Sequence, residues 1–252
     1  MFLLTILYRF HKLAASKEFN GFLKFKMAIE DFRYLLDREY DRESALKFVG
    51  DHYQLNKQFR LILYRCVYGF KKALEHKEKK VLKQDVCGRR IGIDGYNVLI
   101  TVESSLQGKL VIFCDDYFVR DVSAVHGKHK ITPVTLKALR LIAKTLKNLK
   151  PKSVGLFFDS QVSYSGKLAS LAKEIFLDEG LKGDFLAVKQ ADNQVLNYGD
   201  IAVSSDTVII DRVEKIFDLA EEVLRKWKLV KLLNLRRVSH IREIYKILLK
   251  KL

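Results

Sequence analysis

Apolar side chains recur every three to four residues through 28–76, the spacing of a single helix face. Ile29, Phe32, Leu35 and Leu36 predict a first helix. Asp41 stands as an N-cap before a second set, Ala45, Leu46, Phe48 and Val49. Asn56 does the same for a third, Phe59, Ile62, Leu63, Val67 and Phe70, which makes a module of three helices. Upstream, Phe and Leu alternate with Lys in an amphipathic pattern, and the cleaner period opens at Met27. Residues 1–27 therefore read as a basic, apolar extension: an appendage, or the product of a start codon assigned too early.

After a charged connector at 77–87 the period changes. Arg90 to Asp94 is a short apolar run closed by an acid, as expected of a buried parallel strand. Leu110–Phe113, Val154–Phe158, Asp184–Lys189 and Asp200–Ser204 are further strand candidates. Helices are predicted between them from Thr132-Pro133 to Leu149, from Ser165 to Asp178, briefly from Asp192 to Leu196, and from Thr207 to Trp227. Strands alternating with helices over 88–227 predict an α/β domain with a mostly parallel sheet. The tail, 228–252, places Val238, Ile241, Ile244, Tyr245 and Leu248 at helical spacing with cations between them. It reads as a helix packed on the domain, a basic arm for RNA, or a membrane-surface helix.

Charge changes this picture. The 252 residues carry a formal net charge of +16, which suggests a polyanion as partner. The excess is not uniform. Residues 225–252 hold 10 basic side chains and 1 acidic, and residues 71–90 hold 8 and 3, whereas 91–224 hold 16 and 18. Basic ends thus surround a slightly acidic middle. Cys66, Cys87 and Cys114 have neither zinc spacing nor a disulfide framework, which points to a reducing, cytoplasmic setting. No apolar run is long enough to span a membrane.

Four acids stand out by position. Asp94, Asp159 and Asp206 close or follow apolar strands, and Asp192 follows another. In parallel sheets the ligand crevice lies outside those strand ends. Carboxylates gathered there repel one another unless a cation intervenes, and hard oxygen donors suit Mg²⁺ or Mn²⁺. Each Asp alone is better explained as a helix N-cap, and it is the set of four that points to a shared cation. Other chemistries fail on spacing: Gly166-Lys167 lacks the rest of a phosphate loop, and no dinucleotide, zinc-protease or serine-hydrolase motif occurs. His126 and His129 lie in a Lys-rich loop. The second and third helices outline a helix-turn-helix, but Arg60 and Arg65 alone would face bases.

Ile93-Asp94-Gly95-Tyr96-Asn97 resembles the opening motif of the PIN-like nucleases, in particular their NYN branch, and Val203-Ser204-Ser205-Asp206-Thr207 resembles their late strand-end motif. From Ile29 to Trp227 the chain is also similar to an uncharacterised, largely archaeal family that pairs a short helical domain with a PIN-like domain, both of unknown function. Tyr34-Leu35-Leu36-Asp37-Arg38, Ala45 to Gly50, Asp94 to Glu103, Ser163 to Ala169 and Ser204 to Asp211 carry that likeness. The resemblance implies a PIN-like three-layer α/β fold preceded by a small all-α module. It implies Asp94, Asp192 and Asp206 as catalytic metal carboxylates, with Asp159 and Asp211 as further metal candidates. Asn97 and Ser205 would orient the ligand, Arg120 and Lys128 would bind substrate from the loop between Asp115 and His129 (otherwise an ordinary hairpin), and Glu103 is the nearest match to a central-helix Glu. The expectation is a Mg²⁺- or Mn²⁺-dependent ribonuclease. Its alternatives are a non-catalytic RNA-binding protein that docks a partner through the helical module, and a metal-dependent phosphatase.

Overall fold

The computed structural model describes residues 17–123, 129–230 and 232–249. Four helices come first: α1 (Lys17–Asp37), α2 (Arg42–His52), α3 (Lys57–Cys66) and α4 (Phe70–Lys79). Asp41 caps α2 by accepting the Ser44 N–H, and Asn56 caps α3 through Gln58 and Phe59. α1 runs unbroken through the boundary expected near Met27, because Phe22 and Phe25 extend the buried face of Ala28, Ile29 and Phe32. The third helix stops at Cys66, short of the expected end. Val67 is extended and Gly69 caps a separate α4, whose first residue, Phe70, is 70% exposed.

The chain then alternates strands and helices. β1 (Arg90–Asp94) leads into α5 (Gly95–Leu106), and β2 (Val111–Phe113) turns back as β3 (Val119–Asp121). Next come α6 (Pro133–Leu149), β4 (Ser153–Asp159), α7 (Ser165–Asp178), β5 (Gly183–Val188), α8 (Ala191–Tyr198) and β6 (Ile201–Val203). The single helix expected from Thr207 to Trp227 is instead α9 (Thr207–Arg212), β7 (Ile216–Phe217) and α10 (Leu219–Lys226). Val213 is extended, β7 pairs with β6, and buried Asp218 restarts the helix by accepting the Glu221 N–H. β8 (Leu233–Asn234) and α11 (Val238–Leu249) follow.

Five strands form one parallel sheet in the order β5-β4-β1-β6-β7. Side chains alternate across it. Ile91, Ile93, Leu156, Phe158 and Val203 face α5, α6, α7 and α10 in the larger core, while Phe157 and Ala202 face α8 and α9. The result is a three-layer α/β fold preceded by a helical module. Strand order reverses between β1 and β6, so their C-terminal ends open onto the crevice where such sheets bind ligands.

A second sheet, β3-β2-β8, stands between this domain and the module. Val111 and Val119 enter the larger core. Ile112 and Leu233 enter another core, with Phe25 and Phe32 of α1, Ile62 of α3 and Ile244 of α11. The tail is therefore a helix packed on the protein: Ile241, Ile244, Tyr245 and Leu248 are buried. Cys66, Cys87 and Cys114 are free thiols. Among the described residues no helix is long and apolar enough to cross a membrane.

Candidate functional site

Asp94 ends β1 and caps α5, its Oδ1 accepting the Asn97 N–H at 3.2 Å. Two close approaches fix this turn. A Cβ on Gly95 would meet the Phe158 ring at 2.6 Å, and one on Gly92 would meet the Val195 carbonyl oxygen at 2.5 Å. The missing side chains let α5 begin against β4 and let α8, which bears Asp192, lie against β1.

Across the switch point, the Ser204 hydroxyl donates to Asp94 Oδ2 at 3.0 Å, and Ser204 Oγ accepts the Asp206 N–H. Asn97 Oδ1 accepts both the Ser205 N–H at 2.9 Å and the Ser205 hydroxyl at 3.0 Å. Asn97 and Ser205, expected to orient a ligand, are thus bonded to each other and clamp the β6–α9 turn to α5. Asp206 caps α9 by accepting the Val208 N–H, and its side chain reaches solvent. Asp192 is exposed in the first turn of α8. Asp159, at the end of β4, accepts the Gln161 N–H.

The electrostatics tie these acids together. Burial raises the Asp94 carboxyl, the Asn97 and Ser204 hydrogen bonds oppose that, and the charges of Asp206 and Asp192 add to it, leaving it at about 7. Burial and the charges of Asp206 and Asp159 also raise Asp192, against Arg212. Tyr96 packs edge-on against Phe158, and its hydroxyl is buried without a hydrogen-bond partner among the described residues. Burial and the Asp159 charge raise its pKa to about 12. No group of three or more His, Cys, Asp or Glu among the described residues is already gathered around one metal position.

Other expected site residues stand elsewhere. Asp211 is held by Lys72 at 2.6 Å and by His76 Nε2 at 2.9 Å. Glu103 is buried against His129 Nε2 at 2.9 Å. Arg120, expected to grip substrate, is only 3% exposed. It pairs bidentately with Asp116 at 2.7 Å and donates through Nε to the Ser205 carbonyl at 2.8 Å. Lys128 lies outside the described residues. Arg60 and Arg65 are also engaged, with Asp51 and with Asp121, which leaves no pair to read bases.

These engagements expose a structure behind the turn that the sequence reading missed. His76 of α4 is fully buried, with Nδ1 at 2.8 Å from Asp116 Oδ2. Burial alone would raise Asp116, but the Arg120 guanidinium and His76 bring it down to about 2. Tyr68 of the helical module shares a 2.8 Å hydrogen bond with the Thr207 hydroxyl, and Lys79 donates to the Ile210 and Asp211 carbonyls. The module thus braces the turn that carries Asp206. The only local signals were the shared helix face of Ala73 and His76 and the four-residue spacing of Asp116 and Arg120 on a hairpin.

The model for the Domain of unknown function (DUF5616) matches residues 83–222, and the one for the Protein of unknown function (DUF434) matches residues 24–79. An uncharacterised protein of Methanocaldococcus jannaschii, MJ0935, is 36% identical over 208 residues, which is 82% of this chain and 99% of that protein. The chain belongs to the family that joins these two domains. The strand-end acids and β6–α9 turn lie in its DUF5616 part, and the braces Tyr68, His76 and Lys79 lie in its DUF434 part. No solved structure matches the chain.

Proposed function

We propose that this protein is a Mg²⁺- or Mn²⁺-dependent ribonuclease of PIN-like type, acting at the crevice between β1 and β6. The observation that carries this reading is the placement of Asp94, Asp159 and Asp206 at the ends of β1, β4 and β6, with Asp192 in the first turn of α8; burial and the neighbouring acids raise Asp94 and Asp192 there. Capping explains two of these positions but not their charge, since Asn or Ser caps a helix as well as Asp does. The donor set fits a hard divalent cation, being all carboxylate oxygen, with Asp192 and Asp206 open to solvent. Asp94, Asp192 and Asp206 would hold it, with Asp159 beside them. Such a cation, when bound, supplies a water acidic enough to attack a phosphodiester. The chain's own residues set the geometry. Ser204 orients Asp94, the Asn97–Ser205 pair fixes the turn, and Arg120 holds its carbonyl.

The test is cleavage of a single-stranded RNA with Mg²⁺ or Mn²⁺. EDTA should abolish it, and Asp94→Asn or Asp206→Asn should lower it by about 100-fold or more. Cleavage that survives both treatments overturns the reading. One observation favours an RNA-binding protein with a degenerate site instead: among the described residues no three acids are gathered in advance. Calorimetric titration with Mn²⁺ separates the two, since that reading requires no binding that Asp94→Asn removes.

A further inference from the structure

A cavity of about 580 Å³ opens on the other side of the small sheet, where the end of α10, β8 and the start of α11 meet. Phe113, Leu224, Val230 and Leu232 give it an apolar lining, which it shares with Arg225, Lys228, Arg237 and His240. Arg225 pairs with Glu221, but no carboxylate lines the cavity among the described residues. His240 Nδ1 accepts the Asn234 N–H at 2.9 Å, so the ring carries its proton on Nε2 and presents a donor. The cationic surface continues past the cavity, where Arg236 stacks on the Tyr117 ring at 4.2 Å and Lys77 lies 5.0 Å from the same ring.

We infer that this cavity binds a nucleotide unit of single-stranded RNA, with the phosphate against Lys228, Arg237 and His240 and the base over Phe113. A lining that mixes apolar side chains with cations matches a flat base joined to an anion, and the volume suits a ligand of that size. A membrane surface is a poorer occupant. The apolar face that α11 would offer to lipid, Ile241, Ile244, Tyr245 and Leu248, is buried inside the protein. The choice of RNA rests on the proposed ribonuclease function, while the site lies in the basic tail, apart from the strand-end acids.

The experiment is fluorescence anisotropy of a labelled oligouridine over a salt series in EDTA, where no cleavage intervenes. Lys228→Glu/Arg237→Glu should weaken binding roughly tenfold and reduce the salt slope by about 1.4, at ~0.7 per lost phosphate contact. Arg237→Lys should bind as the unaltered protein does, and thermal melts of the cavity variants should coincide with that of the unaltered protein. The readout is binding without metal or turnover, so a failed cavity and a failed active site give different results. Unchanged oligouridine affinity in the double charge reversal overturns the inference. So does equal loss of binding to anionic lipid vesicles or to polyglutamate, since either reports charge without a base.

Discussion

Between about pH 4 and pH 7 the folded chain holds a proton on Asp94 that the unfolded chain releases. Burial, with the charges of Asp206 and Asp192, raises this carboxyl from 3.8 to about 7. Stability must therefore fall as pH rises through that window and level off above it. Asn at this position keeps the cap and can accept the Ser204 hydroxyl, but it carries no charge. Asp94→Asn should accordingly be more stable than the unaltered protein at pH 8, by roughly 1–4 kcal/mol at about 1.4 kcal/mol per pKa unit. The advantage should shrink toward pH 4. Thermal melts in metal-free buffer at both pH values check this, and equal melting temperatures at pH 8 would count against the raised Asp94 carboxyl. Arg120 obeys the opposite rule. Its charge is buried and paired with Asp116, so Arg120→Met strands a carboxylate and should cost about 3–5 kcal/mol. Urea unfolding measures that loss.

At the scale of elements, α8 shows how a helix is set by the strand beneath it. Gly92 lets the Val195 carbonyl approach to 2.5 Å from where a Cβ would stand. Gly92→Ala should push α8 away, cost about 1–3 kcal/mol and weaken any Mn²⁺ binding that depends on Asp192. Gly166→Ala, with nothing within 4 Å of its Cβ, is the control: it should not lower melting, since Ala favours the helix, and should leave the Mn²⁺ titration unchanged. The same elements show what was legible in the sequence. β1, β4 and β6 announce themselves as apolar runs because both faces are covered, β5 is legible from Phe185 to Val188 although Leu186 is exposed at the sheet edge, and the acids after these strands follow from the chain direction. β3, β7 and β8 are two or three residues long, too short for any period, and exist because a neighbour pairs with them. α4 hid because Lys71, Lys72, Lys77 and Lys79 surround its two buried positions, Ala73 and His76. Arg120 looked like a substrate clamp because nothing local records that Asp116, Ser205 and Tyr68 close over it.

Over the whole molecule, the two ends of the described chain close on each other. Phe22 and Phe25 near the start of α1 share a core with Ile244 and Tyr245 of α11, and Ile112 and Leu233 of the small sheet complete it. Arg33 of α1 crosses the same boundary, bonding Asp115 through two hydrogen bonds of 2.7 Å and the Leu235 carbonyl at 3.2 Å. Because β2 faces this core on one side and the α/β core on the other, the helical module has no hydrophobic interior separate from the rest. Unfolding should then be one transition, and damage to α11 should be felt in α1. Ile244→Ala removes a fully buried side chain and should cost about 2–5 kcal/mol. Hydrogen exchange should show protection falling together in α11, α1 and β2, while the acid-bearing ends of β1 and β6, packed in the larger core, lose less. If α1 kept its protection, the module would fold by itself, and the brace from Tyr68 to Thr207 would be a contact between separate bodies. A shared loss instead makes the basic tail a structural part of the unit that holds Asp206 in place.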